Sequence, residues 1–166
     1  YVDHIRTTSA DWDREQHNIL AAYRDRLLDP ERRMAAAKAF VTYELSISHL
    51  HKNEERIASV METPEVLVPF AALEVHYMLS AGFMRRGQLL DEVGAIKDHR
   101  IHIVHGRNDA VCLPRAAARL HAALQGVGAK DNLTLEYIEA AGHSDSEPPI
   151  AKALRQAADA LARESR

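Results

Sequence analysis

Two stretches of the sequence, 101–109 (IHIVHGRND) and 133–144 (LTLEYIEAAGHS), constrain the fold most. Each is a short apolar run that reaches a glycine and then a polar residue of catalytic type, Asp109 or His143. Such runs predict buried strands that end in turns. Residues 114–125, between them, carry a proline at a first-turn position and apolar residues at helical spacing. The order predicts an α/β fold with Asp109 and His143 at the carboxyl ends of neighbouring parallel strands, where open α/β sheets place their chemistry.

Asp109 and His143 suit the acid and base of a nucleophilic triad. In such a triad the carboxylate fixes the tautomer of the imidazole, and the imidazole moves the proton. The acid precedes the histidine here, as in α/β-hydrolases. No serine of the sequence lies in a G-x-S-x-G elbow, and Cys112 has no such setting either. The sequence therefore predicts two members of a triad without the nucleophile.

The first part of the chain has helical patterns. Apolar residues recur at helical spacing in residues 11–28, from 30 to about 50, and from 67 to about 83. The third helix is predicted to begin at 67 or 68, because Pro69 is tolerated only in a first turn. Residues 1–10 are predicted to be a polar lead-in, and 51–66 a loop with room for one helical turn. The chain should thus be helical over 1–95 and α/β over 96–166, with a last helix after Pro148.

Glu44 and Glu74 are carboxylates on or beside apolar helical stripes. Glu44 is predicted at the edge of its stripe, three residues beyond Val41, and Glu74 at the centre of its stripe, seven residues from both Leu67 and Ala81. A carboxylate is costly to bury unless a cation compensates it. Internal salt bridges to Arg or His would account for both residues, and so would a bound cationic group.

Four strings of the sequence resemble the proline iminopeptidase family of α/β-hydrolases. They are HGRNDAVCLP (105–114), AGHSDSEPPI (141–150), FAALEVHYMLSAGF (70–83) and AKAFVTYELSISHL (37–50). The corresponding family patterns run close to HGRYD-x-x-C-P, AGHS, IE-x-HYF and W-x-x-WE, with Phe40 and Tyr43 where tryptophans are usual. The resemblance spans nearly the whole chain, but only the cap and the C-terminal part of the family. The first sheet strands, the oxyanion loop and the serine elbow are not in these residues.

This resemblance implies a fold, an activity and a set of site residues. Residues 1–95 would be a helical cap, and 96–166 the C-terminal part of an α/β-hydrolase sheet with the Asp and His of the triad. Glu44 and Glu74 would bind the free α-amino group of a peptide substrate, and Met78 stands where a phenylalanine helps line the proline pocket. The implied activity is that of a serine peptidase releasing N-terminal proline or a similar residue. Its nucleophile would lie in a missing N-terminal segment, so the chain alone should be inactive.

Two other interpretations stay open. A hydrolase of the same fold for small esters, amides or epoxides could keep the Asp–His pair without amine recognition. A truncated, non-catalytic chain could only bind or pair.

Composition narrows the expected partners. A net charge of -3 with both signs interspersed gives no basic face for nucleic acid. No apolar run approaches the ~20 residues that a membrane span needs, and no signal peptide is visible. The single cysteine fits a reducing, cytoplasmic compartment. His99, His102 and His105 would alternate between the faces of an extended segment, so we expect no metal site, and the resemblance implies no other cofactor.

Overall fold

The computed structural model describes residues 1–129, 131 and 133–164. The chain divides into two compact units. Unit 1 comprises Tyr1–Ser46 and Asn53–Arg85, and unit 2 comprises Ile47–Lys52 together with the chain from Arg86 onward. The predicted division between 95 and 96 concerned a cap and a hydrolase segment, and those two roles stay predictions.

The described residues are mostly helical, with a small parallel sheet of two strands. The helices are α1 (Val2–Thr8), α2 (Trp12–Glu15), α3 (Ile19–Leu28), α4 (Arg33–Ile47), α5 (Glu54–Met61), α6 (Pro64–Leu79), α7 (Gln88–Asp91), α8 (Pro114–Gly126) and α9 (Pro148–Glu164). The strands are β1 (Ile101–Gly106) and β2 (Leu133–Ile138), and short 3₁₀ helices span Ala81–Phe83 and Val93–Ile96. The predicted α/β chain with parallel strands is confirmed. The two strands by themselves do not test whether this sheet belongs to a hydrolase fold.

Unit 1 is built from α1 to α6 around one apolar core. Its fully buried side chains include Ile5, Tyr23, Phe40, Leu67 and Val75. They come from α1, α3, α4 and α6, so each of these helices turns one face inward. The predicted apolar faces of residues 11–28 and 30–50 therefore do form the core of this unit.

The predicted lead-in over residues 1–10 is wrong, because α1 forms there. Ile5 is its one fully buried residue, and a single apolar side chain gives no periodic stripe in a sequence. The predicted helix over 11–28 is also interrupted after α2. Asn18 Oδ1 accepts a hydrogen bond from the Ala21 N–H at 3.0 Å and so caps a new helix, α3.

Three further helix boundaries differ from the prediction. Helix α4 begins at Arg33, since the Asp29 carboxylate accepts the Glu31 N–H at 2.9 Å and holds residues 29–32 in a turn. The predicted loop over 51–66 contains α5, capped by Asn53 Oδ1, which accepts the Arg56 N–H at 2.9 Å.

Helix α6 begins at Pro64 and not at 67 or 68. Pro64 takes a first-turn position, and Pro69 lies inside the helix on its exposed side, where water can hydrate the carbonyl that proline leaves without a donor. Among the described residues, no single helix is long and apolar enough to cross a membrane. Residues 64–79 and 81–91 pass that test of length and composition only as a pair bent by 68°.

Unit 2 contains the parallel sheet. The two strands are parallel neighbours, as predicted, and they pair from Ile101 opposite Leu133 to Gly106 opposite Ile138. Helix α8 connects them and buries Leu124 in a small core with Leu133. Lys130 and Asn132, between α8 and β2, lie outside the described residues.

Candidate active site

The turns that follow the two strands lie side by side. Because the last residues of β1 and β2 are in register, the chain leaves both strands at the same edge of the sheet. Beyond that edge, the Arg107 N–H donates to the Ile138 carbonyl at 2.9 Å, and the Asn108 N–H donates to the Ala141 carbonyl at 3.0 Å. The pairing therefore continues into the turns that carry Asp109 and His143.

Two glycines of this region have the backbone of another segment packed directly against them. A Cβ atom on Gly106 would lie 1.8 Å from the carbonyl oxygen of Gly142, and one on Gly142 would lie 2.7 Å from the Leu50 nitrogen. Both distances are far below any van der Waals contact, so neither position has room for a side chain. Gly106 is thus required by the contact between the two turns, and Gly142 by the contact of its own turn with His49 and Leu50.

The structure brings Asp109 and His143 into hydrogen-bond contact. His143 Nδ1 lies 3.0 Å from Asp109 Oδ2. Since an ionised carboxylate only accepts, Nδ1 carries the proton and Nε2 of a neutral ring keeps its lone pair. Asp109 is 5% exposed, whereas the His143 side chain is 40% exposed. The ring is therefore fixed from the protein side and accessible from solvent.

Asp109 itself is held by its own turn. Oδ1 accepts hydrogen bonds from the backbone N–H groups of Val111 at 2.9 Å and Cys112 at 2.8 Å. His105 Nε2 donates to the Cys112 carbonyl at 2.7 Å and lies 3.4 Å from Asp109 Oδ2. From the sequence, His105 is assessed only as a metal ligand. Its position at the end of β1, four residues before Asp109, is the signal that could have placed it in this turn.

The regularly spaced histidines have separate partners. His102 Nδ1 lies 2.8 Å from Thr134 Oγ1, whereas His105 belongs to the Asp109 turn. Within the part of the chain that the structure describes, no group of three or more His, Cys, Asp and Glu side chains could hold a metal ion.

Cys112 lies next to Asp109 without being activated. Burial, and then the negative charge of Asp109, raise the pKa of the Cys112 thiol above its ordinary value. A raised pKa reduces the thiolate fraction at neutral pH, and the thiolate is the nucleophilic form. Cys112 is nevertheless exposed, so a small reagent can reach it.

The predicted substrate residues Glu44, Glu74 and Met78 lie in unit 1, on α4 and α6. Glu44 is half-buried, and burial together with the negative charge of Glu44 raises the pKa of Tyr1 to about 12. Glu44 is therefore close to the Tyr1 phenol, whose ring stacks on Tyr43 with the centroids 4.5 Å apart. A carboxylate beside aromatic rings is a setting that favours a cation.

Glu74 is half-buried on α6, and its Oε2 atom is shielded from solvent. The buried stripe of this helix runs through Leu67, Ala71 and Val75, so Glu74 borders the stripe and does not lie at its centre. Met78 is exposed. Asp109 and His143 belong to unit 2, and convergence of the two sets of residues on one substrate stays a prediction.

A carboxylate that orients an imidazole, at the carboxyl ends of parallel strands, is an acid–base arrangement typical of nucleophilic hydrolases. Known proteins give a more specific comparison. The chain is 35% identical to the proline iminopeptidase of Xanthomonas citri over 151 residues, which cover 89% of this chain and 46% of that protein. It is 35% identical to the proline iminopeptidase of Xylella fastidiosa over 161 residues, covering 90% and 49%.

A plant relative of this chain is also named proline iminopeptidase. The proline iminopeptidase of Arabidopsis thaliana is 33% identical over 140 residues, covering 82% of this chain and 35% of that protein. No family model matches the chain. The chain spans about half the length, or less, of the curated relatives that it matches. The resemblance to proline iminopeptidases is confirmed, and it extends over most of this chain.

Proposed function

We propose that the chain carries the acid and base of a serine peptidase that releases N-terminal proline, or a similar residue, from peptides. The observation that carries this assignment is the 3.0 Å hydrogen bond between His143 Nδ1 and Asp109 Oδ2. The names of the curated relatives support the choice of substrate class. The two units would then be a helical cap and the C-terminal part of an α/β-hydrolase.

In this mechanism His143 acts twice. Its Nε2 takes the proton of a serine hydroxyl during attack on the substrate carbonyl, and then gives it to the leaving amine. Asp109 stabilises the imidazolium formed in between and keeps Nδ1 protonated. Since no serine of this sequence lies in a nucleophile elbow, we assign the nucleophile to a segment outside these residues.

Glu44 and Glu74 would bind the free ammonium of the substrate. Their half-buried carboxylates are compensated best when a cation is present, which favours a protonated N-terminus over a neutral one. Met78 would provide a soft apolar wall for the proline ring. A cytoplasmic location and the lack of nucleic-acid, membrane and cofactor partners stay predictions.

The test is hydrolysis of a prolyl amide and of its N-acetylated form by the longest natural gene product that contains these residues. We expect rapid hydrolysis of the free-amine substrate, little of the acetylated one, and inhibition by serine-directed reagents. The 166-residue chain alone should be inactive. The reading frame upstream of Tyr1 should contain a G-x-S-x-G elbow after a strand.

Two results would contradict this function. Equal hydrolysis of both substrates would show that the free amine is not recognised. It would favour the alternative of a hydrolase for small esters, amides or epoxides. Serine-inhibitor-sensitive hydrolysis by the 166 residues alone would show that the nucleophile lies within them.

A further inference from the structure

The backbone of the His143 loop is anchored at three consecutive amides. The Gly142 N–H donates to Glu147 Oε1 at 2.7 Å. The His143 and Ser144 N–H groups both donate to the Ser48 carbonyl, at 2.9 Å and 2.7 Å. A catalytic imidazole can hold its direction only if the backbone that bears it is fixed. Each of these anchors therefore bears on the position of the ring.

Glu147 is the one side chain among these anchors. It is 8% exposed, and its Oε2 also accepts the Leu50 N–H at 3.2 Å. Its backbone is fixed as well, since its N–H donates to the Ser144 carbonyl at 3.2 Å and its carbonyl accepts the Ala151 N–H at 2.9 Å. The carboxylate, on the residue immediately before α9, thus joins the His143 loop to residues 47–52.

We infer that Glu147 is a positioning residue for His143. By accepting the Gly142 N–H, the Glu147 carboxylate fixes the backbone next to His143 and so sets the direction of the imidazole side chain. It thereby keeps His143 Nδ1 within hydrogen-bond distance of Asp109. Without the carboxylate, the buried Gly142 N–H would lose its acceptor, a state that costs more than the hydrogen bond itself contributes, and the half-buried Leu50 N–H would lose its acceptor as well. The loop would then move toward water, and the ring would move with it. The catalytic consequence rests on the proposed function, but the geometric one does not.

The matched variants are Glu147→Gln and Glu139→Gln. The first keeps the size of the side chain but offers one carbonyl oxygen and one NH₂ group to two N–H donors. The second makes the same chemical change at a carboxylate that is 75% exposed and pairs with Arg107 at 3.0 Å. Glu139 lies three residues before Gly142, so it controls for a change of charge near the loop.

The readouts are amide hydrogen exchange at Gly142 and the ring Nδ1–H resonance of His143, both measured by NMR on the labelled natural gene product that contains these residues. In Glu147→Gln we expect Gly142 to exchange at least about tenfold faster, because a hydrogen bond to a charged acceptor is lost. The ring resonance should shift or broaden as its bond to Asp109 lengthens. Glu139→Gln should leave both unchanged.

Faster exchange at Gly142 with an unchanged His143 ring resonance would overturn the inference, because Glu147 would then support only the backbone. Should Glu147→Gln fail to fold, Glu147→Asp keeps the charge and shortens the side chain by one methylene. The ring resonance of His143 in Glu147→Asp should shift or broaden relative to that of the parent, and an unmoved resonance would again overturn the inference.

Activity gives a separate measurement. In the complete peptidase, Glu147→Gln should lower kcat for a prolyl amide about tenfold with KM unchanged, since Glu147 is assigned no contact with substrate. An unchanged kcat would overturn the positioning role. If no prolyl amide is hydrolysed by the parent, the proposed function fails, while the NMR comparison still decides the role of Glu147.

Discussion

At Asp109, the carboxylate has one orientation that satisfies all its partners. Two backbone amides fix Oδ1, so the group cannot rotate without breaking them. Oδ2 then points to His143 at 3.0 Å, with His105 beside it at 3.4 Å. The backbone amides of this short turn therefore hold the Asp109 carboxylate in the direction that lets it orient the His143 ring.

Cys112 reports on the charge of Asp109. Because that charge contributes to the raised pKa of the thiol, Asp109→Asn should lower the pKa of Cys112 and speed its alkylation by iodoacetamide near pH 8. Burial, the larger cause, remains, so the change should be partial. The pH dependence of the alkylation rate measures it. Asp98→Asn, an exposed control, should not shift the profile, and an unshifted profile in Asp109→Asn would contradict the expectation.

Substitution of Glu74 tests amine recognition in the proposed peptidase. Glu74→Gln keeps the shape of the side chain and removes its charge, so kcat/KM for a free-amine substrate should fall about 10²-fold or more, with little effect on a small ester without an amine. Asp109→Asn should damage both reactions, by about 10⁴ if it acts as in a serine protease triad. Glu65→Gln, at an exposed position of α6, is the control. Equal losses on both substrates in Glu74→Gln would mean that Glu74 supports the fold.

Between the elements, the contact of the two turns should be intolerant of any added atom. Gly106→Ala would place a Cβ 1.8 Å from the Gly142 carbonyl oxygen, so the turns must separate, and we expect a loss of about 3 kcal/mol in the free energy of unfolding. Urea denaturation measures it. Gly126→Ala is matched, because its Cβ would meet nothing within 4 Å in α8. A loss shared equally by the two variants would show that the close approach is not what matters.

In unit 1, the ion pair between α2 and α3 makes stability depend on pH. Arg26 is 1% exposed and donates to Glu15 Oε2 at 2.8 Å, and this hydrogen bond lowers the pKa of the Glu15 carboxyl. The lowered pKa gives stability that is present above the unfolded value of 4.5 and is lost as pH falls through the folded value.

Glu15→Ala should therefore cost about 3 kcal/mol at neutral pH, since it leaves the Arg26 charge buried without its carboxylate. The loss should shrink as pH falls below 4.5, because the unfolded parent then binds a proton at Glu15 and the folded parent follows at its lowered pKa. Urea unfolding at both pH values measures this. Glu31→Ala, an exposed control on the same unit, should change little. A loss that does not depend on pH would contradict the role of the charge.

Elements were predictable where a run of residues had one consistent period. The strands β1 and β2 and helix α8 follow from apolar runs bounded by Gly or Pro, and Asp109 and His143 follow from their place after those runs. Helices α1 and α5 escaped prediction because their one buried residue each, Ile5 and Ile57, gives no repeat. His105 and Glu147 were not predicted as site residues for another reason. Both bind backbone groups, and contacts with backbone groups leave no pattern in a sequence.

For the molecule as a whole, the small sheet is the weak point. Parallel sheets are normally covered on both faces, and a two-stranded sheet is marginal by itself. Large apolar side chains such as Leu89 and Leu154 are exposed in the same unit. The 166-residue chain should therefore self-associate, or unfold readily, in dilute solution. Sedimentation velocity over a wide concentration range tests this, and a clean monomer with a cooperative thermal transition would count against it.

The hydrogen bond between His143 and Asp109 joins residues 34 positions apart, and the link from Glu147 to Leu50 joins residues 97 positions apart. During synthesis, Leu50 and Asp109 are added to the chain before either of their partners. A nascent chain that ends before β2 contains the acid of the pair but not the base. The hydrogen bond between Asp109 and His143 can therefore form only after β2 has been synthesised, because His143 follows that strand in the chain.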